Sequence, residues 1–397
     1  MKKRILIVIP SYNHGGTNRS LRNLLKFIDF NRFEVNIYAM YPVGPYLSKF
    51  INYKIETGTL FLASNKSINI LIKEFFSKKI GVYKFLKIIL NKIKIKFLLK
   101  NDYKRLYKEE ASKLSNLDYD IVISFQEGNA TEFASYIEAK KKVAWVRCDY
   151  SRYLGIKKKS YNENYIYSKY DSIIAVSQYT AEVFKKQLPM QTSKVKNIYN
   201  IIDSQGIKED AEKIINDNRF FVAPYTILSI GRFDDVKQFE KIPFIAKKIK
   251  DRGIPFCWYI IGDGKNKNKI LDNCNRCNVI DDVILLGSKD NPYPYLKSSN
   301  VLVCTSISEA CPNVINEAKI LHIPVVSTNF PSAHEFIEHG VDGFLSSIDL
   351  MHNDLIKLYE DKDLYNTIKY NIKDFNYDNS KIYRQIESLF TGEPLYE

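Results

Sequence analysis

The sequence predicts an α/β protein built from two doubly wound, Rossmann-like parallel sheets facing each other across a cleft. Three observations carry this reading. Short β-branched runs alternate with loops and helix-period segments, and the alternation runs its course once in each half of the chain. The halves also differ in charge: residues 1–200 carry 36 Lys and Arg against 16 Asp and Glu, a net of +20, whereas the remainder carries −6. Such asymmetry implies two units with different partners. With 397 residues, 45% of them hydrophobic, the chain can bury two cores, and 16 Gly and 13 Pro exclude a collagen-like or largely disordered chain.

Strands are predicted at 5–9, 35–39, 120–125, 143–146 and 172–176, then at 226–230, 256–261, 283–286, 301–304 and 325–328. The boundary falls in 200–224, where polar residues replace strand-like composition. This gives a first domain at 1–200, with a helix at 378–397 packing back on it, and a second at 201–377. The first strand follows Met-Lys-Lys-Arg and imitates a signal peptide, but Pro10 and the polar Ser11-Tyr12-Asn13-His14 end it after five apolar residues. A secretory core needs about 7–15. No segment offers the roughly 20 uninterrupted apolar residues of a bilayer span, so any membrane contact is expected to be peripheral. Six irregularly placed Cys fit a reducing, cytoplasmic compartment.

Sheets of this type bind ligands beyond the carboxyl ends of their strands. After the first strand, Gly15 and Gly16 precede a helical run, with Thr17 as a candidate N-cap. The pair either makes a tight turn or lets backbone amides approach a phosphate or sugar. After residues 226–230 come Gly231-Arg232-Phe233-Asp234-Asp235-Val236-Lys237, in which two cations can converge on one diphosphate. Gly262-Asp263-Gly264 reads as a turn. The richest loop is Ser308-Glu309-Ala310-Cys311-Pro312-Asn313-Val314-Ile315-Asn316-Glu317, where Pro312 opens a helix whose N-terminus suits a phosphate. Glu309 can accept from sugar hydroxyls or serve as a capping aid. Glu317 can accept from a ribose or be a solvated helix residue.

Together these loops resemble the GT-B glycosyltransferases of family 4, the retaining, nucleotide-sugar-dependent group found in bacterial polysaccharide synthesis. Gly231-Arg232 with Lys237, Gly262-Asp263-Gly264, and Glu309 with Glu317 carry the resemblance. Further support comes from Ile198-Tyr199-Asn200, Pro324-Val325-Val326-Ser327-Thr328 and Gly340-Val341-Asp342-Gly343-Phe344. The resemblance implies that the second domain holds a nucleotide-sugar donor, UDP-linked, and the first a glycan or lipid-linked acceptor. Arg232 and Lys237 would neutralise the diphosphate, Glu309 would orient the sugar, and Glu317 would bind the ribose. Gly16, Gly231 and the backbone around Cys311, Asn313 and Val314 would contact the donor. The implied transfer keeps the anomeric configuration and needs no metal or other cofactor. The implied product is a capsule or lipopolysaccharide-type glycan made on the inner face of the plasma membrane.

Three positions depart from the family pattern. Arg147 stands where relatives carry a histidine; it could hold a phosphate or an acidic sugar, or pair with Asp149. His322 replaces a glycine at a helix end, and Ala310-Cys311 replace a glycine-aromatic pair.

The segment 66–108 is rich in Lys and aromatics. It reads either as a basic amphipathic element on an anionic membrane surface or as a helix whose apolar stripe packs on the sheet. Cys274 and Cys277 lack a second ligand pair for zinc and read as packing residues, while Asp234-Asp235 and Asp281-Asp282 read as turn residues or caps. Two other functions fit parts of the chain. A non-catalytic nucleic-acid or membrane binder would use the +20 half but leave the second half's motifs unexplained, so no nucleic acid is expected. A nucleotide-sugar epimerase of the same fold would need an acid/base set at the sugar, which the sequence does not offer.

Overall fold

The computed structural model describes residues 2–13, 15–44, 46–50, 53–56, 81–156, 162–221 and 223–392, together with Ile68, Ile72 and Phe76. His14 and the rest of 66–80 lie outside the described residues. The chain divides into two compact units, Met1–Ile201 with Ile382–Glu397, and Ile202–Lys381.

The first unit is built on a seven-stranded parallel sheet of β1 (Lys3–Ser11), β2 (Phe33–Tyr41), β3 (Lys54–Glu56), β4 (Ile121–Ser124), β5 (Lys141–Val146), β6 (Ser172–Ala175) and β7 (Val195–Asn197), in the order β3-β2-β1-β4-β5-β6-β7. Residues Ile5 to Ile9 are fully buried. A central parallel strand has both faces covered, which is why this stretch is an unbroken apolar run rather than an alternation.

The second unit repeats the plan with β8 (Thr226–Ile230), β9 (Cys257–Ile261), β10 (Val283–Gly287), β11 (Val301–Cys304), β12 (Val325–Thr328) and β13 (Phe344–Ser346), ordered β10-β9-β8-β11-β12-β13. In both sheets the order reverses beside the first strand, between β1 and β4 and between β8 and β11. Those are the switch points at which loops diverge and leave room for a ligand.

The predicted strands recur in these sheets; β3, β7 and β13 were not anticipated. The helix after β1 spans Gly16–Phe27 with Gly15 at its N-cap and no side-chain cap bond, so Thr17 lies inside the helix instead of capping it. Cys274 and Cys277 are buried in the second unit's core. His322 takes φ 57°, the left-handed conformation that a glycine adopts without cost, and its ring Nδ1 lies 2.9 Å from the Ile372 carbonyl.

The helix Asn379–Thr391 ends against the first unit. Phe390 packs edge-on to Phe33 with ring centroids 5.5 Å apart, and Lys141 Nζ donates to the Leu389 carbonyl at 2.6 Å. Within the second unit, the Asn379 side-chain amide accepts from Ile202 N–H at 3.0 Å and donates to its carbonyl at 2.6 Å.

Candidate active site

Strands β8 and β11 pair in parallel, Val301 beside Ile227 and Leu302 beside Leu228, so the loops leaving them emerge side by side. The two loops are stitched together. Ile307 N–H donates to the Val236 carbonyl at 2.9 Å, and Thr305 Oγ1 donates to the Lys237 carbonyl at 2.6 Å. Asp234 shapes the first loop, its Oδ1 accepting from the N–H groups of Val236 and Lys237, both at 3.1 Å. This is the turn role expected of it, and the same side chain lies 3.4 Å from the exposed Arg232 guanidinium.

The result is a contact between two predicted site residues: Lys237 Nζ donates to Glu309 Oε1. Both side chains are nearly buried, 19% and 16% exposed. Ser306 Oγ donates to the same carboxylate oxygen at 2.7 Å, and Ser332 Oγ fixes the Glu309 carbonyl at 2.8 Å. Burial works against the charge on Lys237, but the adjacent carboxylate outweighs it, and the ammonium pKa lies above its ordinary value. Ser306 and Ser332 were not singled out from the sequence. Their only signal was the cluster of hydroxyl residues around Glu309.

The glycines have steric reasons. A Cβ on Gly231 would lie 3.2 Å from Lys237 Cε, so the lysine stem runs across this residue. A Cβ on Gly262 would fall 1.8 Å from the Gly231 carbonyl oxygen, and one on Gly264 would fall 2.5 Å from that of Phe233. The Gly-Asp-Gly turn is therefore the floor on which the cation loop rests, pinned by Gly231 N–H to Ile261 O at 3.0 Å and Phe233 N–H to Asp263 O at 2.9 Å.

The loop after β11 leads into the helix Asn313–Ile320, with Pro312 at its N-cap. Pro312 has no N–H, and the Asn313 N–H donates to the Cys311 carbonyl at 3.0 Å, so Asn313 does not present its amide outward as expected. Cys311 and Val314 flank it. Glu317 is 1% exposed. It is not a solvated helix residue.

Gly16 and Arg147 belong to the first unit. A Cβ on Gly15 or Gly16 meets no atom within 4 Å, so internal packing does not require glycine at either position. Arg147 is fastened in place: Nε donates to the Phe125 carbonyl at 2.9 Å, Nη1 to Asn200 Oδ1 at 2.6 Å, and the guanidinium stacks 3.9 Å from the Phe125 ring. Its backbone N–H donates to Glu127 at 2.8 Å. Asp149 is engaged by Ser151 and Tyr179, at 2.6 and 3.0 Å.

Two doubly wound parallel sheets, ordered as described, make the GT-B fold. The comparisons agree. Residues 210–375, within the second unit, match the family model described as glycosyl transferases group 1. It is 28% identical over 296 residues to an uncharacterized glycosyltransferase of Methanocaldococcus jannaschii, covering 72% of this chain and 69% of that one. It is 25% identical over 350 residues, 87% of each chain, to the N-acetylgalactosamine-N,N'-diacetylbacillosaminyl-diphospho-undecaprenol 4-alpha-N-acetylgalactosaminyltransferase of Campylobacter jejuni. Among solved structures, Anabaena HepE in complex with UDP and glucose superposes with a TM-score of 0.73 over 99% of this chain and 100% of that one, at 17% identity.

Proposed function

We propose that the protein is a retaining, family 4 glycosyltransferase that moves a sugar from a nucleotide diphosphate, UDP in the first instance, to a lipid-linked or polysaccharide acceptor in cell-surface glycan synthesis. The contact of Lys237 with Glu309 at the switch point of the second sheet carries the proposal. Curated relatives named for polysaccharide and undecaprenol-linked sugar chemistry support the choice of acceptor.

In this reading the pair changes partners. An arriving diphosphate competes for the Lys237 ammonium and recruits the exposed Arg232. Glu309, still held by Ser306, becomes available to accept hydrogen bonds from hydroxyls of the donor sugar. Glu317 receives the ribose, and Gly231, Cys311 and Val314 line the donor. Gly16 and Arg147 of the first unit are assigned donor contacts as well. As the bond from the anomeric carbon to the diphosphate oxygen breaks, negative charge grows on the leaving group and is stabilised by the two cations. The acceptor oxygen bonds the same face of the anomeric carbon, and its proton passes to the departing diphosphate. No metal or other cofactor is assigned a role. The site of action is the inner face of the plasma membrane, with the protein peripheral.

A thermal-shift screen with nucleoside diphosphates and nucleotide sugars tests the donor assignment, because a ligand that binds only the folded state raises the melting point. The expected outcome is a shift with UDP or a UDP-sugar that disappears in Lys237→Ala. A screen in which no diphosphate shifts the melting point would sink the reading.

A further inference from the structure

The helices Tyr103–Ser115, Asn129–Ala134 and Glu163–Ser168 of the first unit lead into β4, β5 and β6, so they end together at the amino edge of the sheet. Gly16 and Arg147 follow the carboxyl ends of β1 and β5, on the opposite edge. Beside the three helix ends lies an open cavity of about 780 Å³. Lys108, Lys142 and Lys169 line it, against Glu138 as the one acid among the described lining residues.

These lysines differ from their neighbours. Lys113 pairs with Glu110 at 2.8 Å and Lys140 with Asp120 at 2.7 Å, whereas the three in the cavity form an ion pair with none of the described carboxylates. Lys142 is 9% exposed, and among the described residues its Nζ has one hydrogen bond, to the Ser135 carbonyl at 3.2 Å. Burial holds its pKa below the ordinary value, and Lys169 pushes the same way against the pull of Glu138 and Asp171. The Lys169 ammonium lies 4.4 Å from the centre of the Tyr136 ring, and that of Lys108 lies 5.7 Å from the same ring.

Capping of the helices does not account for this concentration of charge. A helix C-terminus carries about half a negative charge, and two of the three helices have only six residues. Their last turns are also closed by backbone: Leu117, Tyr136 and Tyr170 N–H donate to the carbonyls of Leu114, Phe133 and Tyr167, each at 3.1 Å. A buried ammonium without a carboxylate costs stability that a bound anion would offset. On the rim of the same cavity Ser112 and Asn116 are exposed, and their side chains bond to no described residue. A hydroxyl and an amide thus stand open beside the cations.

We propose that this cavity is a second ligand site, for a sugar that carries a phosphate or carboxylate group. The anion rests on the ammoniums of Lys108, Lys142 and Lys169, and the sugar hydroxyls meet Ser112 and Asn116. Free sugar phosphates and acidic glycan chains share this chemistry. The site lies in the first unit and stands independently of the donor assignment in the second.

The test is acetylation of the full chain by N-hydroxysuccinimidyl acetate, read lysine by lysine by mass spectrometry, with glucose 1-phosphate, an oligogalacturonate or neutral glucose present. At about ten times its dissociation constant, an anionic probe should slow labelling of Lys142 and Lys169 roughly tenfold, with weaker binding at high salt. Glucose should have no effect, and the tighter of the two anionic probes names the source. Lys108→Gln with Lys169→Gln, neither of them buried, should weaken the affinity read at Lys142 roughly tenfold or more. Lys142→Met, which keeps the buried stem, should weaken the affinity read at Lys169 while the fold is retained. Unchanged labelling with both anionic probes, undiminished protection in the double variant, or equal protection by inorganic phosphate alone would overturn the proposal. Lys237 in the same map reports the donor site: UDP should slow its labelling whether or not the cavity binds, so failure of either reading is visible on its own.

Discussion

The stem of Lys237 lies across Gly231, with room for a Cβ only 3.2 Å from Cε, while its ammonium reaches Glu309. One residue thus spans two neighbouring strand ends, and its conformation is set by a glycine at one end and a carboxylate at the other.

Lys237→Ala leaves a nearly buried Glu309 with Ser306 as its remaining side-chain donor from these loops. The expected cost is about 1–3 kcal/mol of stability and roughly a hundred- to thousandfold in transfer rate, read by denaturant unfolding and by initial rates with a verified donor. Glu309→Gln should lose transfer with a smaller stability cost. Wild-type rates from both would remove these residues from the mechanism.

Gly16→Ala separates packing from ligand approach. A methyl there meets nothing within 4 Å, and alanine favours the helix by up to about 1 kcal/mol. Stability should hold or rise slightly. If donor or acceptor approaches this backbone, transfer falls; an unchanged rate would take Gly16 out of the donor set.

Gly262→Ala is expected to do the reverse. Its Cβ would sit 1.8 Å from a backbone oxygen of the cation loop, and backbone cannot swing aside as a side chain does. A loss of about 3 kcal/mol or more is expected, together with a lost UDP shift. Gly81→Ala, with open space around it, is the control.

Asp149 supplies a pH test in the first unit. Burial raises its pKa, but hydrogen bonds from Ser151, Tyr179 and the Arg152 N–H outweigh that, and the net shift is downward. A depressed carboxyl adds stability that is complete above its unfolded pKa of about 3.9 and is lost as pH falls through the lower folded value. Asp149→Asn should be less stable than wild type at neutral pH, with the gap closing below about pH 4. Urea melts of both proteins across that range provide the check.

Much of this was legible in the sequence because buried parallel strands write themselves as apolar runs: Thr226 to Ile230 and Val301 to Cys304 need no tertiary information. The missed strands Lys54–Glu56, Val195–Asn197 and Phe344–Ser346 are three-residue edge strands. Too short to show a period, and polar in two of the three cases, they have no local signature. Arg232, Lys237 and Glu309 stood out as candidates from the loops that carry them. That Lys237 and Glu309 touch follows from β8 lying beside β11, which strand order decides and local spacing does not. Periodicity likewise separated the two faces of the helix at 82–101 without saying which turns outward. For Glu317, a helix position is readable from sequence, but 1% exposure depends on everything packed around it.

Because Phe390 closes over Phe33 and Leu389 receives Lys141, the unit that begins the chain is completed by a helix near its end. On the ribosome the second sheet can be assembled while the first still lacks this piece. The earlier-made half must wait, its flank uncovered, until the last helix is delivered. Neither a break at residue 201 nor removal of the terminal helix yields an intact first half.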